Sequence, residues 1–243
     1  IKDAPNSTYR ALHIDLKHHI DKKEYMYQIL DKMASYKLNA AIVEFEDKIK
    51  YDSYPQIGAP QAWSIDEWKD WCEYAYKLHI EISPLIQGIG HADFILKHEE
   101  MKTLRENPKS DWVCCPSNED YYRVQFGLYE DAIRATPHGK YLHVGGDEVG
   151  TLGTCPLCKK RGLNALELQM DWLKRVSDYA VKHGRTPVFW DDMVFKQVGL
   201  YAAILDQISP EQVDSVWNVH LPELNKHIRS FPKEVVYMRW QYG

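Results

Sequence analysis

Short apolar, β-rich runs alternate with longer amphipathic stretches along the chain. The runs are Tyr9–Asp15, Ala40–Glu46, Ile80–Ile86, Tyr141–Val144, Pro187–Trp190 and Val235–Trp240. Their length and their β-branched and aromatic content predict strands. Between them, apolar positions recur with a helical period over Lys22–Tyr36, Ile65–Leu78, Ala92–Glu106, Tyr121–Ala135 and Leu163–His183. Local punctuation agrees. Ser64-Ile65-Asp66-Glu67 has the spacing of a capping box. Lys182-His183-Gly184 reads as a helix exit, with basic residues before a C-cap glycine.

Strand–helix alternation implies a parallel sheet, either open and doubly wound or closed into a barrel. No glycine-rich dinucleotide fingerprint follows the first run. Polar or aromatic residues stand at the ends of nearly all of them: Asp15, Glu46, Gln87, Asp147, Glu148, Asp191 and Trp240. A ring of functional groups at strand C-termini is what a barrel active site requires. The expected fold is therefore α/β, a (β/α)8 barrel of the TIM type. Six β/α units are recognisable instead of eight, so the barrel is expected to be incomplete at its C-terminus. Residues 1–243 are read as a single catalytic barrel domain within a longer chain, because Tyr242-Gly243 follows the last run directly and Ile1-Lys2-Asp3-Ala4-Pro5 resembles a cut or processed edge.

Composition narrows the function classes. Of 243 residues, 44% are hydrophobic and 27% charged, with a net charge of −5, as in an ordinary soluble domain. Lys and Arg are scattered, which argues against a nucleic-acid partner. No apolar run approaches the roughly 18–20 residues of a membrane span. The sequence leaves the oligomeric state open. Five cysteines, with Cys114 and Cys115 adjacent, fit free thiols in a reducing compartment such as the cytoplasm. Cys155-Pro156-Leu157-Cys158 looks like half of a zinc knuckle. A structural site needs four ligands, however, and adjacent cysteines chelate one tetrahedral ion poorly. Ordinary thiols are expected, with no metal and no cofactor. His18-His19 lacks the His-Glu-x-x-His spacing of a metalloprotease.

The sharpest chemical signal is His143-Val144-Gly145-Gly146-Asp147-Glu148-Val149. Neighbours on a regular strand point to opposite faces. Asp147 and Glu148 can serve one pocket only where the strand has ended, and Gly145-Gly146 permits the irregular backbone this needs. Two adjacent carboxylates repel, which is expected to raise the pKa of one of them. A protonated acid beside an ionised one suits glycoside cleavage. A solvated acidic turn is the alternative.

This segment resembles the signature of family 20 glycoside hydrolases, the β-N-acetylhexosaminidases. Three other segments agree in order: Arg10-Ala11-Leu12-His13-Ile14-Asp15, Gln87-Gly88-Ile89-Gly90-His91-Ala92 and Phe189-Trp190-Asp191-Asp192-Met193. The resemblance spans Arg10 to Trp240, and its details, including Phe45-Glu46-Asp47, are most similar to the hexosaminidase D-like branch. It implies exo-acting removal of terminal β-linked GlcNAc or GalNAc from a glycan or glycoconjugate, with retention. In such substrate-assisted catalysis the 2-acetamido carbonyl attacks C1 and forms an oxazolinium-like intermediate. Glu148 would be the general acid and then base; Asp147 would orient the acetamide. Arg10 would bind sugar hydroxyls, or else close a salt bridge at the barrel floor. His91 would bind a hydroxyl or brace the acidic pair. Trp190 and Trp240 would wall the pocket, and Asp191 would contact a hydroxyl or support Trp190. Glu46 would reach substrate or merely line a charged loop, while His13 and Asp15 orient other groups. A tyrosine and a further tryptophan of the family pattern, carried by its last two strands, have no counterpart here. Tyr242 follows the wrong strand for that tyrosine. A non-catalytic carbohydrate-binding barrel, and a two-carboxylate glycosidase acting on sugars without an acetamide, stay open as alternatives.

Overall fold

The computed structural model describes residues 4–205 and 208–240; Ile1–Asp3 and Tyr242 therefore lie outside the described residues. Contacts group the chain into two compact units, Ile1–Ile86 with Gly127–His143, and Gln87–Phe126 with Val144–Gly243.

The first unit holds four of the predicted strands: β1 (Ala11–Asp15), β2 (Ala40–Glu44), β3 (Glu81–Leu85) and β4 (Tyr141–His143). They pair in parallel in that order, with Asp15 opposite Glu44, Glu44 opposite Leu85, and Leu85 opposite His143. β2 is buried throughout, as befits a central parallel strand covered on both faces. Helix α1 (Lys23–Ser35) buries Met26, Leu30 and Met33. Helix α2 (Ile65–Lys77) buries Trp68, Trp71 and Cys72. Steps of four and three residues in α1, and of three, four and three along Ile65, Trp68, Cys72 and Ala75 in α2, make the apolar stripe of a surface helix. The Ser64 capping box forms, with Glu67 N–H donating to Ser64 Oγ (3.1 Å) and Ser64 N–H to Glu67 Oε2 (2.8 Å). Fully burying one such Trp contributes on the order of 3 kcal/mol. Loss of Trp68 would remove the ring that packs against both Phe45 and Trp63.

The second unit holds β5 (Thr186–Trp190) and β6 (Val236–Met238), parallel, with Trp190 opposite Met238. Helix α4 (Ala165–Lys182) follows α3 (Glu119–Ala135) in the chain. It starts at an Asn164/Glu167 capping box and ends before Gly184, whose φ of 72° is the left-handed exit foreseen for it. α4 buries Leu168, Trp172, Leu173 and Val176.

Strands alternating with helices, all paired strands of the units being parallel, make this an α/β fold with six strands of a (β/α)8 barrel. Two helical expectations change. Ala92–Glu106 is not one helix: Asp93–Leu96 ends early and a 3-10 turn spans Glu99–Leu104. His98 is extended at φ −77°, ψ 138°, and the Arg105 guanidinium takes up the Leu96 carbonyl (2.7 Å). Buried Met101 and Leu104 then fall at the i, i+3 spacing that a 3-10 turn eclipses. Helix α5 (Pro210–His227) was not expected. Its start is marked by Ser209, Pro210 and Gln212, but it buries only Leu224, so its apolar period is weak. No described helix is long and apolar enough to cross a membrane.

Candidate active site

After His143 the chain runs beside β5 for two residues. Val144 N–H donates to Val188 O (2.8 Å), and Gly145 O accepts from Trp190 N–H (3.0 Å). The backbone then turns out of the ladder at Gly145 (φ 75°) and Gly146 (φ 98°). A Cβ at Gly145 would stand 2.0 Å from Gln87 Oε1, and one at Gly146 2.2 Å from Phe189 Cε2. Both positions therefore exclude side chains as well as disfavouring them conformationally. Glu148 (φ 46°) and His91 (φ 48°) are also left-handed without being glycine. Such strain costs about 1–3 kcal/mol per residue and persists where surrounding bonds over-determine it. Here those bonds are visible: Glu148 N–H donates to Asp192 Oδ2 (3.2 Å), and Trp112 Nε1–H donates to Glu148 O (3.0 Å).

The turn brings consecutive acids to one imidazole. His91 Nε2 lies 3.4 Å from Asp147 Oδ2 and 3.4 Å from Glu148 Oε2. Their surroundings differ. The Asp147 side chain is 13% exposed and accepts from Gln87 Nε2 (3.2 Å); the Glu148 side chain is 56% exposed. His91 itself packs on Trp112, ring centres 4.3 Å apart. Burial opposes the charge on Asp147, but the His91 contact and the Gln87 amide outweigh it and hold its carboxyl below the usual range. A third carboxyl feels the charge of Asp147. Asp192 is pushed up to about 6, first by burial and then by the charge of Asp147, against the Glu148 N–H bond that favours its ionised form. An open cleft of about 440 Å³ is lined by Glu148, Val149, Gly150, Asp192, Met193 and Lys196, among others.

The other anticipated residues are distributed as follows. Trp190 ends β5 and is 8% exposed. Trp240 is half-buried, beyond the end of β6 at Met238. Asp191 does not face the acidic pair through a hydrogen bond; Arg239 grips both its oxygens (3.0 and 2.8 Å) and stacks on Phe195. In the first unit, Arg10 precedes β1, and its guanidinium donates to the Lys37 and Ser7 carbonyls (2.7 and 2.6 Å). Glu46 is buried in the turn after β2, at φ 44°. His13 does orient another group: its Nε2 is 3.0 Å from Glu44 Oε2, while Lys17 Nζ holds Glu44 Oε1 (2.9 Å). Asp15 Oδ1 accepts from Lys17 N–H (2.8 Å).

Two residues around the acids, Asp192 and Trp112, were not singled out from sequence. Asp192 stood inside a quoted motif, next to Asp191. β5 ends at Trp190, so strand alternation no longer says which of the two aspartates turns inward. Trp112 had no signal, lying in an irregular stretch far from any motif.

A family model, the catalytic domain of glycosyl hydrolase family 20, matches residues 8–239. The chain belongs to glycosyl hydrolase family 20. It is 28% identical to hexosaminidase D of Bos taurus over 192 residues, covering 76% of this chain and 56% of that protein. To hexosaminidase D of Homo sapiens it is 28% identical over 193 residues, covering 76% and 40%. The chain thus spans about half the length of these relatives. Among solved structures, a family 20 exo-β-N-acetylglucosaminidase from Vibrio harveyi in complex with N-acetylglucosamine superimposes with a TM-score of 0.72 at 20% identity, covering 98% of this chain and 39% of that one. At that identity the likeness concerns the fold. Within the matched residues, the His143–Val149 segment forms a turn that presents one shielded and one exposed carboxyl.

Proposed function

We propose that this family 20 domain is the catalytic part of an exo-acting β-N-acetylhexosaminidase that works by substrate assistance. The observation that carries the reading is the single imidazole nitrogen within 3.4 Å of both Asp147 and Glu148. Adjacent residues reach one group only because the backbone has left strand geometry. The division of labour follows from exposure and charge. Asp147, shielded and kept ionised, suits a group that accepts the acetamide N–H and faces the positive charge of an oxazolinium-like intermediate. Glu148, the longer and more exposed side chain, suits proton delivery to a leaving oxygen and later removal of a proton from water. Trp190 and Trp240 supply apolar walls for the sugar or its acetamide methyl. His91 and Gln87 set the orientation of Asp147. The glycan would be a terminal β-linked N-acetylhexosaminide. Arg10, Glu46 and Asp191 stay proposals of the same reading, to be tested by single substitution.

Hydrolysis of p-nitrophenyl N-acetyl-β-glucosaminide and its galacto epimer by wild type and Glu148→Gln tests this. Turnover by wild type, a large loss of kcat in the variant, which lacks the base for the water step, and inhibition by a thiazoline mimic of the intermediate are expected. Turnover of plain glucosides at the same rate, with no response to the thiazoline, would reject acetamide participation. Binding of N-acetylglucosamine without any hydrolysis would reject catalysis.

A further inference from the structure

A second constellation lies in the same unit, built from residues the proposed hydrolysis does not use. Glu106, Cys115, Cys155 and Cys158 place one ligand atom each within 4.8 Å of one another, and all four residues are buried. Cys115 Sγ is 3.2 Å from Cys155 Sγ and 3.6 Å from Cys158 Sγ; Cys158 Sγ is 3.2 Å from Glu106 Oε2. A disulfide would need about 2.05 Å. Thiolates around a tetrahedral zinc ion at about 2.3 Å stand about 3.8 Å apart, so a slight expansion fits the cluster to that ion. Cys114 is buried but is not one of the four, which answers the objection to chelation by adjacent cysteines: one of the two takes part, and a glutamate supplies the fourth ligand.

The surroundings are those of a ligand set. Glu106 is fully buried. Its Oε1 accepts from Thr154 N–H (2.6 Å) and Cys155 N–H (2.9 Å), which leaves Oε2 turned to the sulfurs. A hydrogen bond to the far oxygen is how a ligating carboxylate is oriented. Cys158 N–H donates to Cys155 Sγ (3.3 Å), across the Pro156-Leu157 turn of the Cys-x-x-Cys pair. Ser117 Oγ is 3.2 Å from Cys158 Sγ. A carboxylate and three thiols thus share one enclosed space, and buried charges are retained when paired or metal-bound. Thiolate-rich tetrahedral sets select zinc.

We propose that Glu106, Cys115, Cys155 and Cys158 form a structural zinc site that fastens the loop following the acidic pair. Cys155 and Cys158 lie on that loop. Glu106 and Cys115 flank Trp112, the residue whose indole holds the Glu148 carbonyl. With four protein ligands the site is closed, as structural zinc sites are, and takes no part in bond cleavage.

The test is elemental analysis of the protein purified without chelator, with cobalt substitution as a spectroscopic readout. One zinc per chain is expected. Cobalt loading should give tetrahedral ligand-field bands with thiolate charge transfer. Cys158→Ser should lose both signals, Glu106→Gln should bind metal at least about tenfold more weakly, and Cys72→Ala should keep full occupancy. A strong chelator should lower the wild-type melting temperature. The wild-type metal content decides the matter even if a cysteine variant fails to fold. Negligible zinc in wild type after growth with zinc, no cobalt–thiolate spectrum, or a mass two daltons low from a Cys115–Cys155 disulfide would each overturn the proposal.

Discussion

Replacing Asp147 by Asn keeps the shape of the side chain and removes its charge. The amide oxygen can still accept from Gln87 Nε2, now 3.2 Å from Asp147 Oδ1, and the amide nitrogen can still face His91 Nε2. The fold should therefore survive. What is lost is a shielded negative charge beside a developing cation. Unit charges about 4 Å apart interact by about 4 kcal/mol at an effective dielectric near 20. Most of that difference should appear in the transition state, giving a fall of about 100- to 1,000-fold in kcat/KM. The assay should use two leaving groups. With an aryl N-acetylglucosaminide whose phenolate leaves readily, little protonation is needed, so Glu148→Gln should become nearly harmless to kcat/KM while Asp147→Asn stays severe. With a poor leaving group both variants should be severe. An Asp147→Asn enzyme within tenfold of wild type, or one whose defect shrinks with leaving-group quality as that of Glu148→Gln does, would refute the assignment of roles.

Further outcomes follow from the same geometry. His91→Ala removes the contact that keeps the Asp147 carboxyl low, so the acidic limb of the kcat/KM profile should move to higher pH; a pH–rate series that leaves it in place would deny the contact its role. Asp192 has a raised pKa of about 6, so its contribution to stability is complete below the unfolded value near 4 and is lost as pH rises through about 6. Asp192→Asn should consequently raise the melting temperature at pH 7.5 by several degrees, on an order of 2–3 kcal/mol, with a smaller gain at pH 5; scanning fluorimetry at both values decides it. Gly146→Ala should cost about 3 kcal/mol or more in urea denaturation, because its Cβ would meet Phe189 at 2.2 Å in a left-handed backbone. Arg239→Met should destabilise the protein by about 1–3 kcal/mol, leaving the mostly buried Asp191 without its partner.

Much of this fold is readable from the chain because parallel strands and their covering helices carry strong, distinct periods. Ala40–Glu44 is apolar without interruption until its last residue, and Ser64/Glu67 announces a helix that forms as spelled. Legibility fails where tertiary partners set the backbone. Lys97-His98 breaks a helix that the apolar pattern would have carried on, since Arg105 satisfies the Leu96 carbonyl from outside. The acidic pair is legible through Gly145-Gly146, whereas Trp112 lies in a stretch with no period and Glu106 at the end of one whose helical period the structure does not follow. Their partners are separated by dozens of residues, and only packing reveals them. Cys155-x-x-Cys158 was visible as half a site; its other half was hidden because one ligand is a glutamate and the other is one member of an awkward cysteine pair.

The central claim is that the sugar's own acetamide oxygen attacks C1 while Asp147 steers it. It is tested most directly with a series of aryl glucosaminides whose N-acyl group carries zero to three fluorines. Fluorination weakens the carbonyl as a nucleophile and leaves the glycosidic bond and the leaving group unchanged. The account predicts that kcat/KM falls steeply along the series. A flat series would contradict it, because an enzyme carboxylate, or water alone, would then be making the first bond.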